Sequence, residues 1–154
     1  MKKLENLFYV IVAGGRGFTD KHLLTKTLDG ALSSKDAKNI VIISGGAKGA
    51  DSMAEKYAKE HDIKCLRVPA RWDSEGKKAG YVRNREMLQF ADALIAFWDG
   101  QSVGTKNMIE IAQEAGLQCR VINYTPSEEP EYPKKKWNAQ KKSDYNKFRR
   151  NSEY

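Results

Sequence analysis

The stretch IVIISGGAKGADSMAEKYAKEH, residues 40–61, decides the fold. Ile40–Ser44 is an apolar, β-branched run of strand length, and Gly45-Gly46-Ala47-Lys48-Gly49 interrupts it with turn residues. From Ala50 to His61 apolar residues return at spacings of three and four, the period of a helix with one buried face. Asp51 falls at the helix start, where an acidic side chain can satisfy free backbone N–H groups. A strand that runs through a glycine-rich turn directly into an amphipathic helix is the opening of a β-α-β unit.

The same alternation extends in both directions. Further strands read as Phe8–Ala13, Lys64–Val68, Ala93–Phe97 and Cys119–Asn123, and further helices as Lys21–Leu32, Lys78–Phe90 and Thr105–Ala115. Asp20 fits an N-cap, and Gly116 fits the left-handed residue that ends a helix. Near-continuous apolar strands separated by helices predict an α/β fold: a Rossmann-like, doubly wound parallel sheet of about five strands flanked by helices, over residues 1–124. After Asn123 the composition changes. Pro126, Pro130 and Pro133 punctuate a polar stretch, and residues 125–154 read as a basic C-terminal tail, either partly helical or disordered. Its rings, Trp137, Tyr145 and Phe148, suit a short helix.

The charge follows this division. Of the formal +7, residues 134–154 carry eight Lys or Arg against Asp144 and Glu153, a balance of +6; residues 1–133 hold 19 basic and 18 acidic residues and are nearly neutral. A nucleic-acid contact, if there is one, is therefore expected through the tail, where cations displace counterions and rings stack on bases. At 154 residues the chain suits a single core. Its longest apolar runs, such as Leu7 to Ala13, fall far short of the roughly 18 residues of a membrane span, so a soluble cytoplasmic protein with no membrane partner is expected. Cys65 and Cys119 show no CxxC spacing and are expected to be buried thiols. His22 and His61 are isolated, so no metal site is expected, and no cofactor.

In a sheet of this kind ligands bind beyond the carboxyl ends of the strands. The loops there are GGRGFTD (14–20), SGGAKGAD (44–51), PARWD (69–73) leading to AGYVRNREM (79–87), and WDGQSVGT (98–105). Glycines allow close approach of the backbone to a ligand, and unpaired N–H groups at a helix start favour an anion. Neither the P-loop nor the dinucleotide fingerprint is met, so the expected ligand is phosphate-bearing and held in another way. The candidate ligand-binding residues are Gly15, Arg16, Gly17 and Phe18; Ser44, Gly45, Gly46, Lys48, Gly49 and Asp51; Trp72, Arg83 and Asn84; and Gly100, Ser102, Gly104 and Thr105. Arg83, beside Asn84 at the head of a helix, suits phosphate, whereas Arg85 beside Glu86 suits surface pairing. Asp51 suits a ribose hydroxyl or a helix cap, and Trp72 and Trp98 suit base stacking or the core.

The order GGRGFTD, ISGGAKGADSMAEKYA, PARWDSEGKKAGYVRNREM and AFWDGQSVGT, across residues 8 to 123, resembles the YspA-like, YpsA-related branch of the SLOG superfamily. That superfamily is named after DNA-processing protein A and the Lonely Guy phosphoribohydrolases. The resemblance implies a Rossmann-like domain that binds nucleotides, their derivatives or nucleic acid, often as a homo-oligomer of paired subunits. It also implies a sensor or sequestering role in nucleotide signalling or in conflict between phages and bacteria. Arg83 and Met87 match its RNREM positions. The hydrolases carry PGGxGTxxE; Gly104 and Thr105 match, but Met108 stands where the glutamate belongs, and a thioether cannot stabilise an oxocarbenium ion or activate water. N-glycoside hydrolysis of a nucleoside monophosphate is therefore the alternative activity, with Asp51 or Asp99 supplying the carboxylate, and nucleic-acid binding is a second alternative.

Overall fold

The computed structural model of the chain describes Leu4 and residues 6–126, so the expectations for the basic tail lie outside the described residues from 127 onward. Five strands, β1 (Phe8–Gly14), β2 (Ile40–Ser44), β3 (Lys64–Arg67), β4 (Ala93–Trp98) and β5 (Gln118–Asn123), form one all-parallel sheet in the order β3-β2-β1-β4-β5. Helices α1 (Lys21–Leu32), α2 (Ala50–Glu60), α3 (Trp72–Glu75), α4 (Ala79–Leu88) and α5 (Val103–Glu114) connect them. This is the expected Rossmann-like arrangement. Among the described residues no helix is long and apolar enough to cross a membrane.

Alternation along the strands sorts the core into two layers. Val10, Val12 and Ile42 face α1 and α2, where Leu24, Leu28 and Leu32 repeat every fourth residue and Ala50, Ala54 and Ala58 let α2 approach the sheet closely. Tyr9, Ile11, Ala13, Ile43, Leu94 and Ala96 face Met87 of α4 and Met108, Ile109 and Ala112 of α5. Two of the predicted caps form: Asp20 accepts the Leu23 N–H at 2.9 Å, and Gly116 beyond α5 has φ +78°. Asp51 does not cap α2, whose N-cap is Gly49; its carboxyl turns back to the Ala47 N–H of the preceding loop.

Some local expectations are corrected. Trp72–Glu75 is a single turn of helix, too short to show a period, and Gly76–Lys78 is a 3-10 turn before α4. Cys65 is exposed and Cys119 half-buried, because β3 and β5 are the edges of the sheet, where a strand residue lacks cover on one side.

The first three strands are laid down in one direction from β1, and the chain then crosses through α4 to start β4 on the other side of β1. The carboxyl ends of β1 and β4 therefore mark the switch point of the sheet, where outgoing loops diverge and leave a crevice.

Candidate functional site

Four segments wall the crevice. From β1 comes Gly14-Gly15-Arg16; a Cβ on Gly14 would lie 2.6 Å from that of Ala50 and 2.9 Å from the Phe97 carbonyl oxygen, so the strand end can be wedged there only as glycine. From β2 comes the turn Ser44–Gly49. Ser44 Oγ accepts the Gly46 N–H at 3.1 Å and reaches the Asp51 carbonyl at 3.4 Å. Gly49, at φ +77°, lies against the backbone of Gly15 and Arg16, which suits only glycine. Asp51, in the first turn of α2, accepts the Ala47 N–H on Oδ2 at 3.2 Å.

The third segment is α4. Arg83 Nη1 donates to the Gly45 carbonyl at 2.7 Å and its Nε to Asn84 Oδ1 at 3.2 Å. Asn84 Nδ2 in turn donates to the Gly104 carbonyl at 3.2 Å and to Asn107 Oδ1 at 3.0 Å. Two adjacent residues of one helix thus tie the β2 turn to the start of α5. The fourth segment is that start. Asp99 accepts the Gln101 and Ser102 N–H groups at 2.9 and 2.8 Å, and Trp98 Nε1 donates to the Ser102 carbonyl at 3.1 Å, which turns the chain into α5. Ser102 occupies the N-cap with its hydroxyl 3.2 Å from Thr105 Oγ1, and that side chain makes no cap hydrogen bond to the helix N–H groups. Those donors favour an anion.

The cavity measures about 30 Å³, room for about two waters, so it admits a small head group rather than a whole nucleoside. Its charged lining residues are Arg16, Arg83 and Asp51, two cations to one carboxyl. Arg16 Nε is buried and finds no hydrogen-bond partner among the described residues. Burial lowers the pKa of both guanidiniums, opposed in each case by Asp51. Burial pushes the Asp51 carboxyl up to about 6, against the pull of Arg83 and the Ala47 N–H. A larger groove of about 250 Å³ opens between the end of α1 and the first residues of β4 and β5, but its lining is mainly apolar, with Gln118 and Arg120 as its polar members.

The crevice gathers eight of the residues singled out from the sequence: Gly15, Arg16, Asp51, Arg83, Asn84, Ser102, Gly104 and Thr105. Ser44, Gly45 and Gly49 stand behind it as the frame of the β2 turn, while Gly17, Gly46, Lys48 and Gly100 are not among its lining residues. Phe18 is a correction: its ring is 1% exposed and packs at 4.8 Å against both Phe97 and Tyr124, so it belongs to the core. Trp98 is spent on Ser102 and Asp99 on its own loop; Trp72, on α3, does not line the crevice. Ala13, Gly14 and Ala47 line it unforeseen, beside Met87 and Met108. The GG pair ending β1 was the available signal for Gly14.

Fold and crevice together define the class, a Rossmann-like α/β protein whose charged residues converge at the switch point of the sheet. The chain belongs to the YspA, cpYpsA-related SLOG family, whose family model matches residues 8–74. The gene 61 protein of Mycobacterium phage D29 is 36% identical over 121 residues, 75% of this chain and 94% of that protein. Among solved structures, DNA processing protein A of Streptococcus pneumoniae superposes with a TM-score of 0.64 at 20% identity, over 79% of this chain and 52% of that one. DNA processing protein A of Helicobacter pylori, described in terms of its single-stranded DNA binding, superposes with a TM-score of 0.58 at 20% identity, over 76% of this chain and 66% of that one. The chain thus spans about half of the first of these structures and under two thirds of the second; they share its fold.

Proposed function

We propose that the crevice binds a phosphate-bearing nucleotide or nucleotide-derived ligand by its oxyanion head group, and that the protein acts as a sensor or sequestering module. The observation that carries this reading is the buried Nε of Arg16, without a hydrogen-bond partner among the described residues, in a wall with two guanidiniums and one carboxyl, beside a start of α5 whose N-cap side chain makes no cap hydrogen bond. A buried guanidinium N–H without an acceptor is costly, and an oxyanion relieves that cost. The small cavity takes the phosphate, and the sugar and base lie across its mouth. Arg83, with Nη1 and Nε already engaged by Gly45 and Asn84, chiefly frames the site and adds charge.

Hydrolysis of an N-glycosidic bond is the second reading, and one observation favours it: Asp51 is a carboxyl in the wall with its pKa in the working range of an acid–base group. Met108, 1% exposed and also in the wall, supplies no such chemistry where the related hydrolases have their glutamate. The likeness to a structure described as binding single-stranded DNA adds a phosphodiester strand to the ligands worth testing.

The experiment is calorimetric titration with nucleoside mono- and diphosphates, ADP-ribose, cyclic nucleotides and a single-stranded oligonucleotide, followed by chromatography of the mixtures. At least one binds, is recovered intact, and loses about tenfold or more in affinity in Arg16→Ala, the loss of one hydrogen bond to a charged group. Unchanged affinity in Arg16→Ala contradicts the reading, and release of free base makes the protein a hydrolase.

A further inference from the structure

Asp51 stands where an incoming anion meets a like charge. Its side chain belongs to a residue only 6% exposed and shares the small cavity with Arg16, Arg83, Ser102 and Thr105. The carboxyl and the Arg83 guanidinium crowd the same point: a Cβ on Gly45 would lie 2.8 Å from Asp51 Oδ2 and 2.5 Å from Arg83 Nη1. In a cavity of about 30 Å³ an oxyanion cannot keep its distance from that carboxyl. Two negative groups so close in a desolvated site are not both tolerated, and the conflict is relieved when one takes a proton.

The groups around Asp51 set how readily it does so. Arg83 on α4 and Arg16 on the β1–α1 turn favour its ionised form, as does the Ala47 N–H. Glu55, one turn further along α2, favours the neutral form; Arg67 of β3 grips Glu55 at 2.6 and 2.7 Å. The side of the cavity formed by α5 contributes hydroxyls, backbone and the Met108 thioether, with no charged side chain among its lining residues. Burial outweighs the attractions and leaves the carboxyl at about 6 in the protein alone. It is therefore near enough to neutral for a bound anion to tip it.

Resting on the reading that the crevice receives an oxyanion head group, we propose that Asp51 is its proton-carrying contact: the carboxyl takes up one proton from solvent as the anion enters and donates it in a hydrogen bond to a bound oxygen. The protonated group adds one donor to those of Arg16, Ser102 and Thr105 in the wall, which favours head groups rich in acceptors. Binding is then linked to pH, tightening as the pH falls.

Sulfate is the probe, because it stays a dianion across the range and brings no proton of its own, unlike a phosphate monoester with its second pKa near ~6. Its affinity is read from the amide resonances of Arg16 and Thr105 at pH 6 and pH 8. Wild type binds about tenfold or more tightly at the lower pH, and Asp51→Asn binds equally at both. Equal affinity in wild type at the two pH values, or a pH dependence that persists in Asp51→Asn, overturns the proposal. If sulfate binds neither protein at either pH, the oxyanion reading of the crevice fails and the proposal with it. The carbon resonance of the Asp51 carboxyl gives a second test that needs no variant: saturating sulfate raises its midpoint by about one and a half pH units or more, the shift that a tenfold change in affinity between pH 6 and pH 8 requires, and an unmoved midpoint refutes the proposal.

Discussion

Gly45 shows how little room a single side chain has at this site. With Arg83 Nη1 and Asp51 Oδ2 at 2.5 and 2.8 Å from where a Cβ would stand, Gly45→Ala must displace one of them. The expected loss is about 1–3 kcal/mol of stability, read by denaturant unfolding, together with weakened ligand binding. Asp51 gives a pH signature. Its folded pKa, about 6, lies above the ordinary value of 3.8, so the folded chain holds this proton more tightly than the unfolded chain. The contribution therefore favours folding below about pH 4 and is lost as the pH rises toward 6, by roughly 3 kcal/mol at most. Urea unfolding between those pH values should show that decline in wild type and lack it in Asp51→Asn. At this scale the sequence was half legible. Arg16 and Phe18 sit two positions apart in one glycine-rich loop, and nothing in their spacing tells which enters the crevice and which the core. The answer lies in Phe97 and Tyr124, distant in the chain, which close around the Phe18 ring.

The helices and strands were far easier to read, because each carries its own period and punctuation. Asp20 at the start of α1 is an example, and Asp20→Ala should cost about 1 kcal/mol of stability while leaving ligand affinity unchanged, since the cap lies outside the crevice. What local pattern could not supply is the link between elements. Asn84 joins Arg83 to Gly104 and Asn107, and so holds α4 against the start of α5. Asn84→Ala should cost affinity for the head group, because the α5 donors lose their tie to the β2 turn. Calorimetry against the tightest ligand checks it, and unfolding midpoints separate lost affinity from lost folding. The short α3 was missed for a physical reason: four residues cannot display a period of 3.6.

At the scale of the whole molecule, topology makes the site. The order β3-β2-β1-β4-β5 sends the loops of β1 and β4 apart and brings residues from four separate segments to one edge. That the glycine-rich turns would share an edge was legible from parallel alternation alone; that Asp51 would be buried against two arginines was not, since burial is decided by how the segments pack. On the proposed reading this edge, rather than the larger groove near the amino ends of β4 and β5, receives the ligand. Amide chemical-shift mapping of the full chain with the tightest ligand of the titration panel tests it most directly. Shifts concentrated on Gly15–Arg16, Ala47–Asp51 and Ser102–Thr105 are the predicted result, and shifts confined to the α1–β5 groove or to residues 127–154 would contradict it.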